Sequence, residues 1–173
     1  MKMHHTTRTL FAATLLAAAA LPASAQMLPA EISPDLQYAD TCFQRSYTAQ
    51  HLRGNPAQRV TRIALAALDR GTERPNMPDN QSEMLIAVQV RNSSLWRSSL
   101  AYCTFGQGNR PSTCNIESDG GAFTLTDRPD GTVMVRASGA LRLGADNQMV
   151  EFGGRFSDDN AFILQQAGCR RAS

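Results

Sequence analysis

Hydrophobic and polar positions alternate with a period of two along much of this chain. In residues 83–91 the alternation sets Met84, Ile86, Val88 and Val90 on one face and ends the other in Gln89 and Arg91, which predicts a half-buried strand. Residues 98–105 continue in the same manner, with Leu100 and Tyr102 on one side and Ala101, Cys103 and Phe105 on the other. Residues 113–117 read as the returning strand. Residues 122–126 and 132–137 form a hairpin about Arg128, Pro129, Asp130 and Gly131, where Pro at the second turn position and Gly at the fourth fit a type I turn with a G1 bulge. Phe123 and Leu125 then face Val133 and Val135. Short strands follow around 141–143, 149–152 and 161–164. Residues 59–68 mix Ala and Leu with a β-branched start and read as one more strand, with Thr61, Ile63, Leu65 and Ala67 facing one way and Arg62 outward.

One stretch departs from this period. Ser33 followed by Pro34 suits a helix N-cap and first helical position, and Leu36, Ala39, Cys42 or Phe43, and Tyr47 recur at three- and four-residue steps. This predicts an N-terminal helix that stops near His51, ahead of the breaker cluster Gly54, Asn55 and Pro56. Many short strands with short connections predict a mainly β fold. The expected architecture is an antiparallel up-and-down meander forming a small barrel, with a two-sheet β-sandwich as the alternative and the helix on an end or flank. The polar run 71–82, with Pro75 and Pro78, is long for a loop in a compact domain, a length that points to function or disorder.

The first residues change the picture from fold to compartment. Lys2 and Arg8 precede an apolar run from Leu10 to Leu21, and Ala23-Ser24-Ala25 follows before Gln26, the pattern of a secretory signal peptide with its cleavage site. The run is too short to span a bilayer, which takes roughly 20 residues. The organisation expected is therefore a signal peptide over 1–25, an irregular lead-in over 26–33, and a single disulfide-stapled β domain over 34–173, placed in the periplasm or secreted. Lys2 and Arg8 leave with the leader, so 17 basic residues become 15 Arg against 15 Asp plus Glu. That balance removes bulk electrostatics as a reason to bind nucleic acid or anionic lipid, and no transmembrane segment is expected in the mature chain. The mature part has no Lys, which excludes Schiff-base chemistry, and its one histidine is His51.

Cys42, Cys103, Cys114 and Cys169 all lie in the exported part. An even number at wide spacing reads as two disulfides in an oxidising compartment. Of three connectivities, Cys103 with Cys114 and Cys42 with Cys169 is preferred. The first staples a hairpin across the turn-rich residues 106–112, and the second ties the two chain ends together. Without a C-x₂-C pair, a zinc site is the weaker reading.

Candidate chemistry is sparse. Glu117 and Asp119, two apart, would point to the same side of an extended strand and could act as general acid and base; the competing reading is a strand end with an Asp-Gly turn. His51 would have to anchor any Ser-His-Asp arrangement, against a plain helix-end role. Arg53, Arg59 and Arg62 form a local basic group that could meet an anion or partner, or simply solvate strand faces. Asp158, Asp159 and Asn160 lack the EF-hand pattern and read as a polar turn. Trp96 is either a binding anchor or a cover for the core edge. No cofactor motif is present. Two stretches, His51-Leu-x-x-x-Pro56-x-Gln-x-Val60-Thr-x-Ile63 and Cys114-x-Ile-Glu-x-Asp119-Gly-Gly-x-Phe123, resemble segments of exported, uncharacterised proteobacterial proteins. The resemblance implies an exported β domain and carries no catalytic residue. The function expected is a non-catalytic binding or inhibitor-like module whose partner is an unknown protein or small ligand of the cell envelope. A small hydrolase using Glu117 and Asp119, or His51, and an envelope-structural protein are the alternatives.

Overall fold

The computed structural model describes residues 39–68, 77–108, 110–144 and 148–168. Among these residues, ten strands and one short helix follow one another: β1 Ala39–Ser46, α1 Ala49–Gly54, β2 Val60–Leu68, β3 Gln81–Val90, β4 Arg97–Thr104, β5 Ser112–Ile116, β6 Ala122–Asp127, β7 Val133–Ala137, β8 Ala140–Leu143, β9 Val150–Gly153 and β10 Ala161–Ala167. Eight of them close a barrel in the order β1-β10-β7-β6-β5-β4-β3-β2, and β8 pairs only with β9. Every pairing is antiparallel. The expected small barrel is therefore the fold, in place of the sandwich. The meander is interrupted once, where the β8–β9 hairpin leaves the wall between the neighbours β7 and β10.

The N-terminal helix expected up to His51 is not what forms. Residues 39–46 are strand β1, residues 34–38 lie outside the described residues, and the helix is the six-residue α1, capped by Thr48, whose side chain accepts from His51 N, and followed by Asn55. The physical reason is closure. β1 pairs β2 over Ala39 to Ser46 and β10 over Cys42 to Gln44, so it satisfies the backbone groups of two strands that would otherwise be edges. Phe43 and Tyr47, four apart, fit a helical face, but they share a strand face equally well, and both pack on the barrel core. The breaker cluster does act as expected, since α1 ends at Gly54.

Inward side chains fill the barrel. Ile63, Leu65, Met84, Ile86, Val88, Ala101, Cys103, Cys114, Phe123, Leu125, Val133, Val135, Phe162 and Leu164 form one cluster, joined by Leu141, Leu143 and Phe152 from β8 and β9. The hairpin thus stops one end of the barrel with three apolar side chains. Cys103 lies directly opposite Cys114 across β4 and β5, and the two are disulfide-bonded, as expected. Cys42 is also disulfide-bonded and buried; Cys169, its expected partner, lies outside the described residues, as do residues 71–76 of the polar run 71–82.

Two strands are more buried than their alternation implied. β3 was expected half-buried, yet its outward Leu85 and Ala87 are as covered as its inward residues. With outward Cys42, Ala64, Ala66 and Leu68 they form a second apolar cluster on the outside of the wall, against which Trp96 and Leu100 pack. Trp96 thus covers a core edge, with the Arg62 guanidinium 4.9 Å from its ring centroid.

Candidate functional site

Strand register decides which loops meet. The pairs Val60 with Val90, Val88 with Arg97, Phe123 with Ala137 and Ala161 with Arg136 lie near one end of the barrel. That end collects α1, the β3–β4 and β5–β6 turns, the β8–β9 hairpin and the connection from Gly153 to Ala161. The other end collects the β2–β3 connection, the loop after Thr104 and the turn 128–131. His51, Arg53, Arg59, Arg62, Glu117 and Asp119 all belong to the stoppered end, though each sits on a different support.

His51 is engaged structurally. Its ring stacks on Tyr47 at 4.7 Å between centroids, and its Nε2 is 2.9 Å from Gln58 Oε1. Buried Gln58 uses its Nε2 to donate to Val60 O at 2.8 Å, which fixes the amide with Oε1 as acceptor. His51 Nε2 is therefore the donating nitrogen of this bond. Arg91, which the sequence reading passed over, holds the same corner: Nε donates to Gln58 O at 2.6 Å, and Nη2 to Leu52 O at 2.6 Å and Asn55 O at 2.9 Å. Satisfying these carbonyls docks α1, which buries no side chain of its own.

Asp159 is the second residue missed. It is fully buried, and its carboxylate accepts from Arg59 N at 2.7 Å and Val60 N at 3.1 Å, across about a hundred residues of chain, while its own N–H donates to Ser157 Oγ at 3.0 Å. Burial pushes this carboxyl above its ordinary pKa, and the backbone N–H bonds pull it back only in part. Burial likewise raises the Tyr47 hydroxyl, opposed by Arg45 and assisted by the Asp159 charge. With both oxygens occupied by backbone donors, Asp159 serves as a latch between the β9–β10 connection and the start of β2. Nothing local marks such a residue, because its partners are distant in sequence; reading 158–160 as a polar turn is correct for Asn160, whose side chain donates to Ser157 O.

The three arginines diverge. Arg59 sends Nη1 to Glu151 O at 2.7 Å, on the hairpin. Arg62 lies on the outer wall over Trp96, its pKa lowered by burial. Arg53 stands exposed on α1. Glu117 and Asp119 are exposed and do not share a strand face: Ser118 and Asp119 have φ of 54° and 58°, and Gly120 N bonds Glu117 O at 3.1 Å. This is a type I′ turn, so the extended geometry expected for the pair is replaced by a chain reversal. Among the described residues, no group of three or more His, Cys, Asp or Glu is placed to hold a metal ion, and no helix is long and apolar enough to cross a membrane.

The same end carries exposed apolar side chains that the sequence did not single out: Leu95 on the β3–β4 turn, Met149 beside β9, and Phe156 after β9, the last 90 % exposed with the Arg155 guanidinium 5.6 Å from its ring centroid. No protein family matches the chain, and neither curated proteins nor solved structures give a match.

Proposed function

We propose that the chain is an exported, non-catalytic binding or inhibitor-like module of the cell envelope, a disulfide-stapled barrel that presents end loops to a protein or small ligand. The observation that carries this reading is Phe156, a whole aromatic ring left 90 % exposed on a connection whose backbone is pinned. Ser157 N bonds Gly154 O at 3.3 Å, and Ala137 N bonds Asn160 O at 2.9 Å. Asp159 latches the same segment to β2. A preordered loop loses little entropy on association, and aromatic and Arg side chains are the residues that most often anchor interfaces. Export is supported by the leader pattern of residues 1–25 and by the oxidised Cys103–Cys114 pair, which fits an oxidising compartment.

The test is affinity capture from periplasmic extract with the wild type, Phe156→Ser and Arg155→Ala. A partner retained by the wild type and lost with Phe156→Ser, at unchanged thermal stability, is expected. Capture indifferent to both substitutions removes the loop from the reading. Hydrolysis of esters, peptides or glycans by purified protein, abolished by His51→Ala or Glu117→Gln, refutes the non-catalytic reading itself.

A further inference from the structure

Charge is not spread evenly along the barrel. Among the described residues, every arginine except Arg110 and Arg128 lies in the half nearer the stoppered end, nine in all, with Glu117, Asp119, Glu151, Asp158 and Asp159 as the acids there. The far half has those two arginines against Asp40, Asp79, Glu83, Asp127 and Asp130. Nine against five makes one half net positive by four, and two against five makes the other net negative by three, a polarity that the balanced whole-chain count conceals. The positive end is also the one that leaves apolar side chains in water: Phe156 is 90 %, Leu95 56 % and Met149 49 % exposed. We propose that this end docks peripherally on an anionic lipid surface, with Phe156, Leu95 and Met149 entering the head-group layer and the neighbouring arginines meeting lipid phosphates.

Three observations favour a bilayer over a protein as the partner of these tips. The first is pairing. Arg155 stands 5.6 Å from the Phe156 ring centroid, and Arg97, two residues after Leu95, donates from Nε to Gln148 O at 2.5 Å, next to Met149. Neither arginine is ion-paired among the described residues, where the carboxylate bridge at this end is Arg142 with Glu151. A guanidinium beside an aromatic or aliphatic side chain suits the membrane boundary, where carbon enters the apolar layer and charge stays among the head groups. The second is shape. The three side chains stand on separate supports, the β3–β4 turn, the β8–β9 hairpin and the β9–β10 connection, and the Arg155-Phe156 tip is closed by Ser157 N on Gly154 O at 3.3 Å. Separate tips fit a flat, yielding surface that needs no matching relief. The third is area. Three such side chains offer roughly 300 Å², short of the roughly 800 Å² per partner of a stable protein interface. That area suffices for reversible attachment when arginines add about fivefold each near an anionic surface. A symmetric pair of copies would instead bring two positive ends together. Such docking is separate from any protein or small ligand that the loops bind.

Protein beginning at Gln26 is sedimented with sucrose-loaded vesicles of phosphatidylcholine, with and without about 30 % phosphatidylglycerol. Binding to the anionic vesicles is expected, with little to phosphatidylcholine alone and a fall of about tenfold in about 0.5 M salt. Phe156→Ser, at a position too exposed to affect folding, is expected to lower the partition coefficient about tenfold. Arg155→Ala should lower it about fivefold, and Arg128→Ala, at the far end, should leave it unchanged. No binding to anionic vesicles overturns the proposal, as does equal binding to both compositions or binding indifferent to Phe156→Ser. Capture of a protein from membrane-free extract without vesicle binding also overturns it, while leaving the binding module itself in place. Vesicle binding without protein capture supports the docking and removes the protein partner.

Discussion

Asp159 provides the most exacting test of how the stoppered end is held together. Replacing it with Ala removes the acceptor for two backbone donors, of which Val60 N belongs to a fully buried residue. Hydrogen bonds to a charged group contribute about 1.5–3 kcal/mol each, and the release of a buried charge offsets part of their loss. The net expectation is about 2–4 kcal/mol, which for a domain of this size corresponds to roughly 8–15 °C in Tm. Asp159→Asn keeps one acceptor but turns an NH₂ toward a second donor, so about 1–2 kcal/mol is expected. The pH dependence separates charge from geometry. Because burial raises the Asp159 pKa in the folded state, folding disfavours the ionised form. The stability linked to this group is therefore fully present below the ordinary carboxyl range and is lost as pH rises through the raised folded value. Urea melts of wild type and Asp159→Asn, taken from acid to neutral pH, should show the wild-type advantage shrinking as pH rises. An advantage that grows with pH would mean that the N–H bonds outweigh burial. A loss below about 0.5 kcal/mol for Asp159→Ala, the size of an ordinary surface change, would refute the latch.

Other consequences are simpler. Replacing Cys103 and Cys114 together with Ser opens a loop of sequence separation 11 and should cost about 3 kcal/mol by the chain-entropy argument, seen as a lower denaturant midpoint. Leu143→Ala or Phe152→Ala, each removing part of the stopper, should cost about 3–5 kcal/mol in the same assay. Gly120→Ala should be severe, because its added carbon would lie 2.2 Å from Ile116 Cγ2 and 2.8 Å from Arg142 O, while Gly139→Ala, which meets nothing within 4 Å, should leave Tm unchanged.

Much of this fold could be read before any coordinates, and the reasons are local. The turn at Arg128 to Gly131 has Gly131 at φ 76° and Gly131 N on Arg128 O at 3.0 Å, as Pro129 and Gly131 required. The inward faces of β2 and β3 follow from simple alternation. β1 was misread because Phe43 and Tyr47 satisfy helical and strand spacing alike, and only the need of β2 and β10 for a neighbour decides between them. The departure of β8 and β9 from the wall is likewise a matter of which partners are available. Leu141, Leu143 and Phe152 alternate as any barrel strand would. Of the candidate site, the sequence singles out His51 and three arginines, which the fold does not bring together, and it gives no sign of the residues that brace this end, because Gln58, Arg91 and Asp159 act largely through backbone groups that leave no pattern in the side chains.

The β8–β9 hairpin also makes the molecule divisible. β7 and β10 are already paired neighbours, from Val133 with Leu164 to Arg136 with Ala161, so the chain between Ala137 and Ala161 is an excursion that a tight turn can replace without breaking any pairing among the eight wall strands. What such a shortening removes is the stopper and, with residue 159, the latch onto β2, so the apolar side chains at that end of the filled barrel lose their cover. The hairpin is thus the natural place to regraft this scaffold, since exchanging it would recast the interior while leaving the wall and its disulfide as they are.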